Sequence, residues 1–110
     1  MTEPDRRRYP RFKVKVPVQI AFGSERLTGL LMDLCRDAAL IESATAIPVD
    51  SEVILAAELP GTGGPVQAVG KVVRLSPGPG GNHDMAVLFT DLSPAAETRI
   101  DYFIALQTTG

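Results

Sequence analysis

Tryptophan is absent, and cysteine and histidine occur once each, as Cys35 and His83. A single cysteine excludes an intrachain disulfide and a Cys-based zinc site. One thiol and one imidazole also leave almost no material for a nucleophile–base pair. No run of the chain approaches the ~18 apolar residues a membrane span needs. The polar, Arg-rich stretch from Met1 to Arg11 has no apolar segment behind it, so the sequence predicts no secretory signal. What is present is an ordinary globular composition: 110 residues, 45% of them hydrophobic, enough for one domain and too apolar for disorder. A cytoplasmic, non-enzymatic domain without cofactor or metal is the expectation.

Charge is distributed unevenly. Residues 1–15 hold six cations (Arg6, Arg7, Arg8, Arg11, Lys13, Lys15) against Glu3 and Asp5, and the rest of the chain holds five cations against eleven acids. A basic arm on an acidic body points to a local anion site, because a general nucleic-acid binder spreads Lys and Arg over a face.

Apolar residues alternate from Lys13 to Phe22, placing Val14, Val16, Val18, Ile20 and Phe22 on one side of a half-buried strand. Pro17 lies on the other phase and marks an edge or a bulge. Gly23-Ser24 reads as a hairpin turn, followed by strands over about 26–34, 39–42, 53–59, 66–75 and 84–89. Gly70 inside the fifth strand suggests a bulge or sharp coil, and Ser76 to Asn82, rich in Pro and Gly, reads as a surface loop with His83 exposed beside it. Ser93 is the expected N-cap of a helix with Pro94 at its first position and Glu97 in its first turn. Ala96, Ile100, Phe103 and Ile104 recur at helical spacing over about 94–107, with Leu106 at the edge of that face. Six short strands and one late helix predict a small β-barrel with the helix against one mouth.

Two clusters carry chemistry. In Arg6-Arg7-Arg8-Tyr9-Pro10-Arg11, Pro10 keeps Tyr9 extended, so Arg7 and Arg11 project to one side ~13 Å apart. Guanidinium groups suit forked hydrogen bonding of phosphate and stacking on purines. The second cluster is Asp33-Leu34-Cys35-Arg36-Asp37-Ala38, a polar corner between two strands, in which Arg36 is the one neighbour able to lower the Cys35 pKa.

Together, the Arg-x-x-x-Arg arm, the strand of alternating valines and the Asp-x-Ser-x-x-Gly-like corner resemble the PilZ domain. The likeness runs from Arg6 to about Leu106 and includes Met85 to Phe89 and the helix start Asp91-Leu92-Ser93. Arg7 and Arg11 match both Arg positions of the first motif. The corner matches in part: Asp33 holds the acidic position, Cys35 stands where Ser is usual, Ala38 where Gly is usual, and Ala86 where Gly often precedes the Phe of the sixth strand.

The resemblance implies an all-β fold, a six-stranded antiparallel PilZ-like β-barrel with one C-terminal helix. It divides the chain into a flexible basic arm (1–12) and the barrel with its helix (13–110). It also implies a regulatory domain that binds the bacterial second messenger cyclic di-GMP at Arg7, Arg11, Asp33, Cys35 and Ala38, with Arg6 and Arg8 in support. Binding would order the arm and signal to a protein partner, with no DNA or RNA as ligand. A thiol is a weaker donor than a hydroxyl, and a side chain in place of Gly is costly where φ must be positive or a ligand must come close. The alternative is therefore a PilZ-like protein-interaction adaptor that no longer binds cyclic di-GMP. A nucleic-acid-binding barrel is disfavoured because Tyr9 and Tyr102 are the only tyrosines for base stacking.

Overall fold

The computed structural model describes residues 11–109, so Arg6, Arg7 and Arg8 lie outside the described residues. Six strands, β1 (Phe12–Phe22), β2 (Glu25–Leu34), β3 (Ala38–Ser43), β4 (Glu52–Glu58), β5 (Pro65–Pro77) and β6 (His83–Leu92), precede one helix, α1 (Pro94–Thr109). The strands close into an antiparallel barrel in the order β1-β2-β3-β6-β5-β4. The predicted architecture is the one observed.

Alternation builds the interior. Val18 and Ile20 of β1, Leu31 of β2, Ile41 of β3, Val53 of β4, Val72 of β5 and Val87 of β6 are all at most 5% exposed and form one cluster. The β1–β2 hairpin turns through Gly23, whose φ of 59° is left-handed and suits the two-residue connection between Phe22 and Glu25. Pro17 pairs with Leu30 of β2, just past a register shift between Lys13 and Val16. On its other side β1 meets β4 only at Gln19, Ile20 and Ala21, so Pro17 lies outside that seam and its missing N–H interrupts no pairing there.

Gly70 sits where backbones crowd. A Cβ there would lie 2.5 Å from Cγ1 of Val87 and 2.9 Å from the carbonyl oxygen of Leu88. The sheet register shifts beside it, with Val69 opposite Asp91 and Gly70 opposite Phe89. The Pro/Gly loop is shorter than the sequence predicts. Ser76 and Pro77 still pair with Asp84 and His83, which puts His83 in β6, half-buried, and leaves a single 3-10 turn at Pro79–Gly81. Pro77 ends its strand, a place where a residue without an N–H is tolerated.

The Oγ of Ser93 accepts the N–H of Ala96 at 3.1 Å and so caps α1. Ala96, Ile100 and Phe103, each 2% exposed, join the barrel cluster; Ile104 packs partly against it and Leu106 is 39% exposed. The helix thus covers the barrel with the face its 3.6-residue period predicts.

Candidate functional site

Two extra residues, one in β2 and one in β5, create the site. Along β2, Leu27, Gly29 and Leu31 point inward, and strict alternation would send Asp33 into the core. The register with β3 instead jumps from Leu31–Ile41 to Asp33–Leu40, leaving Met32 as the extra residue. Asp33 therefore turns outward and Leu34 inward, at 3% exposure. In β5 the register with β6 jumps from Val72–Val87 to Arg74–Ala86, with Val73 as the extra residue. Val73 and Arg74 are consequently both exposed, and Leu75 resumes the inward phase against the core.

The two bulges produce one transverse row on the barrel's outer surface. Asp33 pairs with Leu40, Leu40 with Ala86, and Ala86 with Arg74. Three strand spacings separate the ends, so a carboxylate and a guanidinium stand on backbones ~14 Å apart across an apolar floor. A groove of about 530 Å³ runs along this row, bounded by the corner Cys35–Ala38, by Val73 and Leu88, and by Arg11 at the start of β1.

Sequence neighbours and sequence strangers meet here. Arg11 approaches Asp33, with Nη1 3.9 Å from Oδ2, although 22 positions separate them. Of the residues the sequence singles out, Arg11, Asp33, Cys35 and Ala38 line the groove together; Arg6, Arg7 and Arg8 fall outside the described residues. Ala38 lies in β3, and its φ is not left-handed; among the described residues other than glycine only Lys15 and Asp50 have positive φ. The backbone at position 38 thus makes no demand for glycine. The methyl group matters only as volume in the groove.

The corner is held by short hydrogen bonds. The Cys35 N–H donates to the Ala38 carbonyl at 2.9 Å, and the Phe89 N–H to the Asp37 carbonyl at 2.8 Å. The Cys35 thiol donates to Oδ1 of Asp37 at 3.0 Å. Burial first, then this hydrogen bond and the Asp37 charge, push the thiol pKa up, which favours the protonated form. Arg36, the neighbour that could have stabilised a thiolate, is not among the groups that shift it; its guanidinium pairs with Asp101 of α1, Nε to Oδ1 at 2.8 Å. Arg74, Val73 and Leu88 are groove residues that sequence reasoning misses, and Asp37 is one it places in the polar corner without a role. Alternation alone puts Arg74 in the core, and its only advance signal was the scarcity of cations in the acidic body.

Chemically the groove offers carboxylate acceptors at one end, guanidinium donors at the other and at its mouth, and an apolar bed between them. Such an arrangement suits binding of a flat, anionic ligand. Among the described residues no group of three or more His, Cys, Asp or Glu is placed to hold a metal ion. Nor is any helix among them long and apolar enough to cross a membrane.

Comparison with curated proteins finds no match by sequence. Comparison with solved structures finds the same fold repeatedly at low identity. The inhibitor of motility MotI/DgrA of Bacillus subtilis is 18% identical with a TM-score of 0.81, covering 96% of this chain, which spans 53% of that protein. The PilZ domain of YcgR from Escherichia coli, solved with c-di-GMP, is 17% identical with a TM-score of 0.76, covering 96% of this chain and 94% of its own. The PilZ domain of CeSA from a cellulose-synthesizing bacterium is 19% identical with a TM-score of 0.64, covering 89% and 98%. The PilZ domain pattern itself matches residues 5–106, nearly the whole sequence. With that match on the barrel and helix described above, the chain belongs to the PilZ domain family.

Proposed function

We propose that the groove binds cyclic di-GMP and that the chain is a regulatory domain relaying occupancy to a protein partner. The observation that carries this reading is the convergence of Arg11 and Asp33 on one groove whose far end is Arg74. A carboxylate accepts the paired N–H donors of a guanine edge. The apolar floor of Leu40 and Ala86, with Val73 and Leu88 beside it, supplies surface for a flat ring. Arg11 and Arg74 supply forked donors for phosphate. Support from relatives is independent of these residues: the PilZ domain of YcgR was solved with c-di-GMP, as were YcgR and the PlzA protein of Borreliella burgdorferi.

In this reading Arg7 joins Arg11 in clamping phosphate and stacking on guanine, with Arg6 and Arg8 in support, and Cys35 and Ala38 form the corner beside the base. The arm orders over the ligand, and the change is read by the partner. Titration calorimetry with cyclic di-GMP, GTP and single-stranded RNA tests the proposal: saturable binding of cyclic di-GMP alone is expected. Limited proteolysis tests the arm, since saturating ligand should suppress cleavage near Arg6–Arg11. Equal cleavage with and without ligand would refute the ordering step. A second reading, an adaptor without ligand, is favoured by the Cys35 thiol donating into the corner. Absence of binding to all three ligands would select it.

A further inference from the structure

Asp37 falls on a variable position of the corner pattern, yet it faces the same groove as Asp33. Its backbone carbonyl is taken by Phe89 and its carboxylate by the Cys35 thiol, so β6 and the corner fix where its charge sits. A thiol has one hydrogen, and this one is directed at Oδ1 of Asp37, not at the groove. A hydroxyl at position 35 would meet the same acceptor. Among the described residues the charged groups lining the groove are Arg11 and Arg74 against Asp33 and Asp37, so Asp37 adds a second negative charge to its lining.

We infer that Asp37 is the selectivity residue of this groove: it occupies the hydrogen of Cys35 and opposes phosphate charge, so the groove recognises guanine edges and discriminates against nucleotides of higher charge. This rests on the reading of the groove as a cyclic di-GMP site. Two unit charges ~5 Å apart in a water-like dielectric differ by roughly fourfold in binding per unit charge, less at high salt. GTP carries about twice the charge of cyclic di-GMP, so it is penalised more.

The test is calorimetry on the full chain with cyclic di-GMP and with GTP, at low and high salt. Asp37→Asn keeps the shape and an acceptor for the thiol but removes the charge. It should tighten cyclic di-GMP about three- to tenfold, bring GTP from undetected to measurable binding, and lose most of both gains at high salt. Cys35→Ser should gain more in the Asp37→Ala background than alone, by about fivefold, because only there is the hydroxyl free for the ligand. Thiolate absorbance against pH reads the contact without any ligand: Asp37→Asn and Asp37→Ala should both lower the Cys35 pKa. An unchanged thiol pKa, or unchanged affinity for both nucleotides in Asp37→Asn with the wild type binding, overturns the inference and leaves the receptor reading intact. Binding in no variant overturns both.

Discussion

The barrel carries two outer grooves of similar size and unlike chemistry. The one across β2, β3, β6 and β5 holds about 530 Å³ and is lined by two guanidiniums and two carboxylates. The other, beside the short β1–β4 seam, holds about 440 Å³ between Val16 and Ala57, with Glu58 as the charged residue of its lining. The difference does not lie in volume. It lies in where the strands depart from alternation: Met32 and Val73 are extra residues on the first face, and each hands a charged neighbour from the core side to the surface. A bulge is the cheapest way to put charge on one face of a sheet while keeping the core phase intact on either side of it.

The largest effect should come from erasing that difference. Exchanging Arg74 and Leu75 keeps the bulge and the composition but places the guanidinium on the inward phase and the leucine outside. An unpaired charge forced into a core costs about 3–5 kcal/mol, so urea unfolding followed by circular dichroism should show a loss of that order, with nucleotide binding abolished. An exchange variant of wild-type stability would mean that the bulge does not set the phase.

Next in size is the mouth of the charged groove. A forked, charge-assisted contact is worth roughly 1.5–3 kcal/mol, and Lys keeps the charge without the fork. Arg11→Lys should therefore weaken cyclic di-GMP binding about tenfold or more, nearly as much as Arg11→Ala. Glu58→Gln in the other groove should leave affinity as it was. If Arg11→Lys binds like wild type and affinity falls linearly with log salt, Arg11 is a diffuse charge and not a forked ligand.

Gly70→Ala probes the close approach under the same face. Its Cβ would meet the Leu88 carbonyl, which is backbone and cannot swing aside, so a stability loss of about 1–3 kcal/mol is expected in thermal melts. A neutral substitution would show that β5 and β6 separate easily.

The smallest effects concern the corner's ties. The Arg36–Asp101 pair joins the corner to α1, but both side chains are nearly half exposed, and a double-mutant cycle should return only about 0.2–1 kcal/mol. The raised Cys35 pKa has a defined sign. Below the ordinary thiol value of 9.0 its contribution to stability is complete, and it is lost as pH rises through the folded-state value, because the unfolded thiol ionises first. Cys35→Ala should flatten that alkaline decline in urea midpoints; an identical pH profile would mean the thiol is not shielded.

Much of the molecule could be read from one dimension. Period-2 alternation located the first and fifth strands, turns and apolar runs bracketed the other four, and Ser93, Pro94 and the spacing of Ala96, Ile100 and Phe103 located the helix and its buried face. Asp33 and Arg11 could be picked out because the motif they belong to survives in this sequence. Asp37 and Arg74 could not, since one looked like a turn residue and the other fell on the core phase of its strand.

Local patterns of hydrophobicity and capping act through neighbours a few residues apart, so the sequence alone determined the element types and their buried faces. Which residue of a strand becomes the extra one depends on how two strands align over their whole length, with close backbone approaches such as that at Gly70 constraining the fit. That alignment is a property of the closed barrel. Tertiary structure therefore decided that Asp33, Leu40, Ala86 and Arg74 stand in one row, and that the thiol of Cys35 turns to Asp37 and not to the groove.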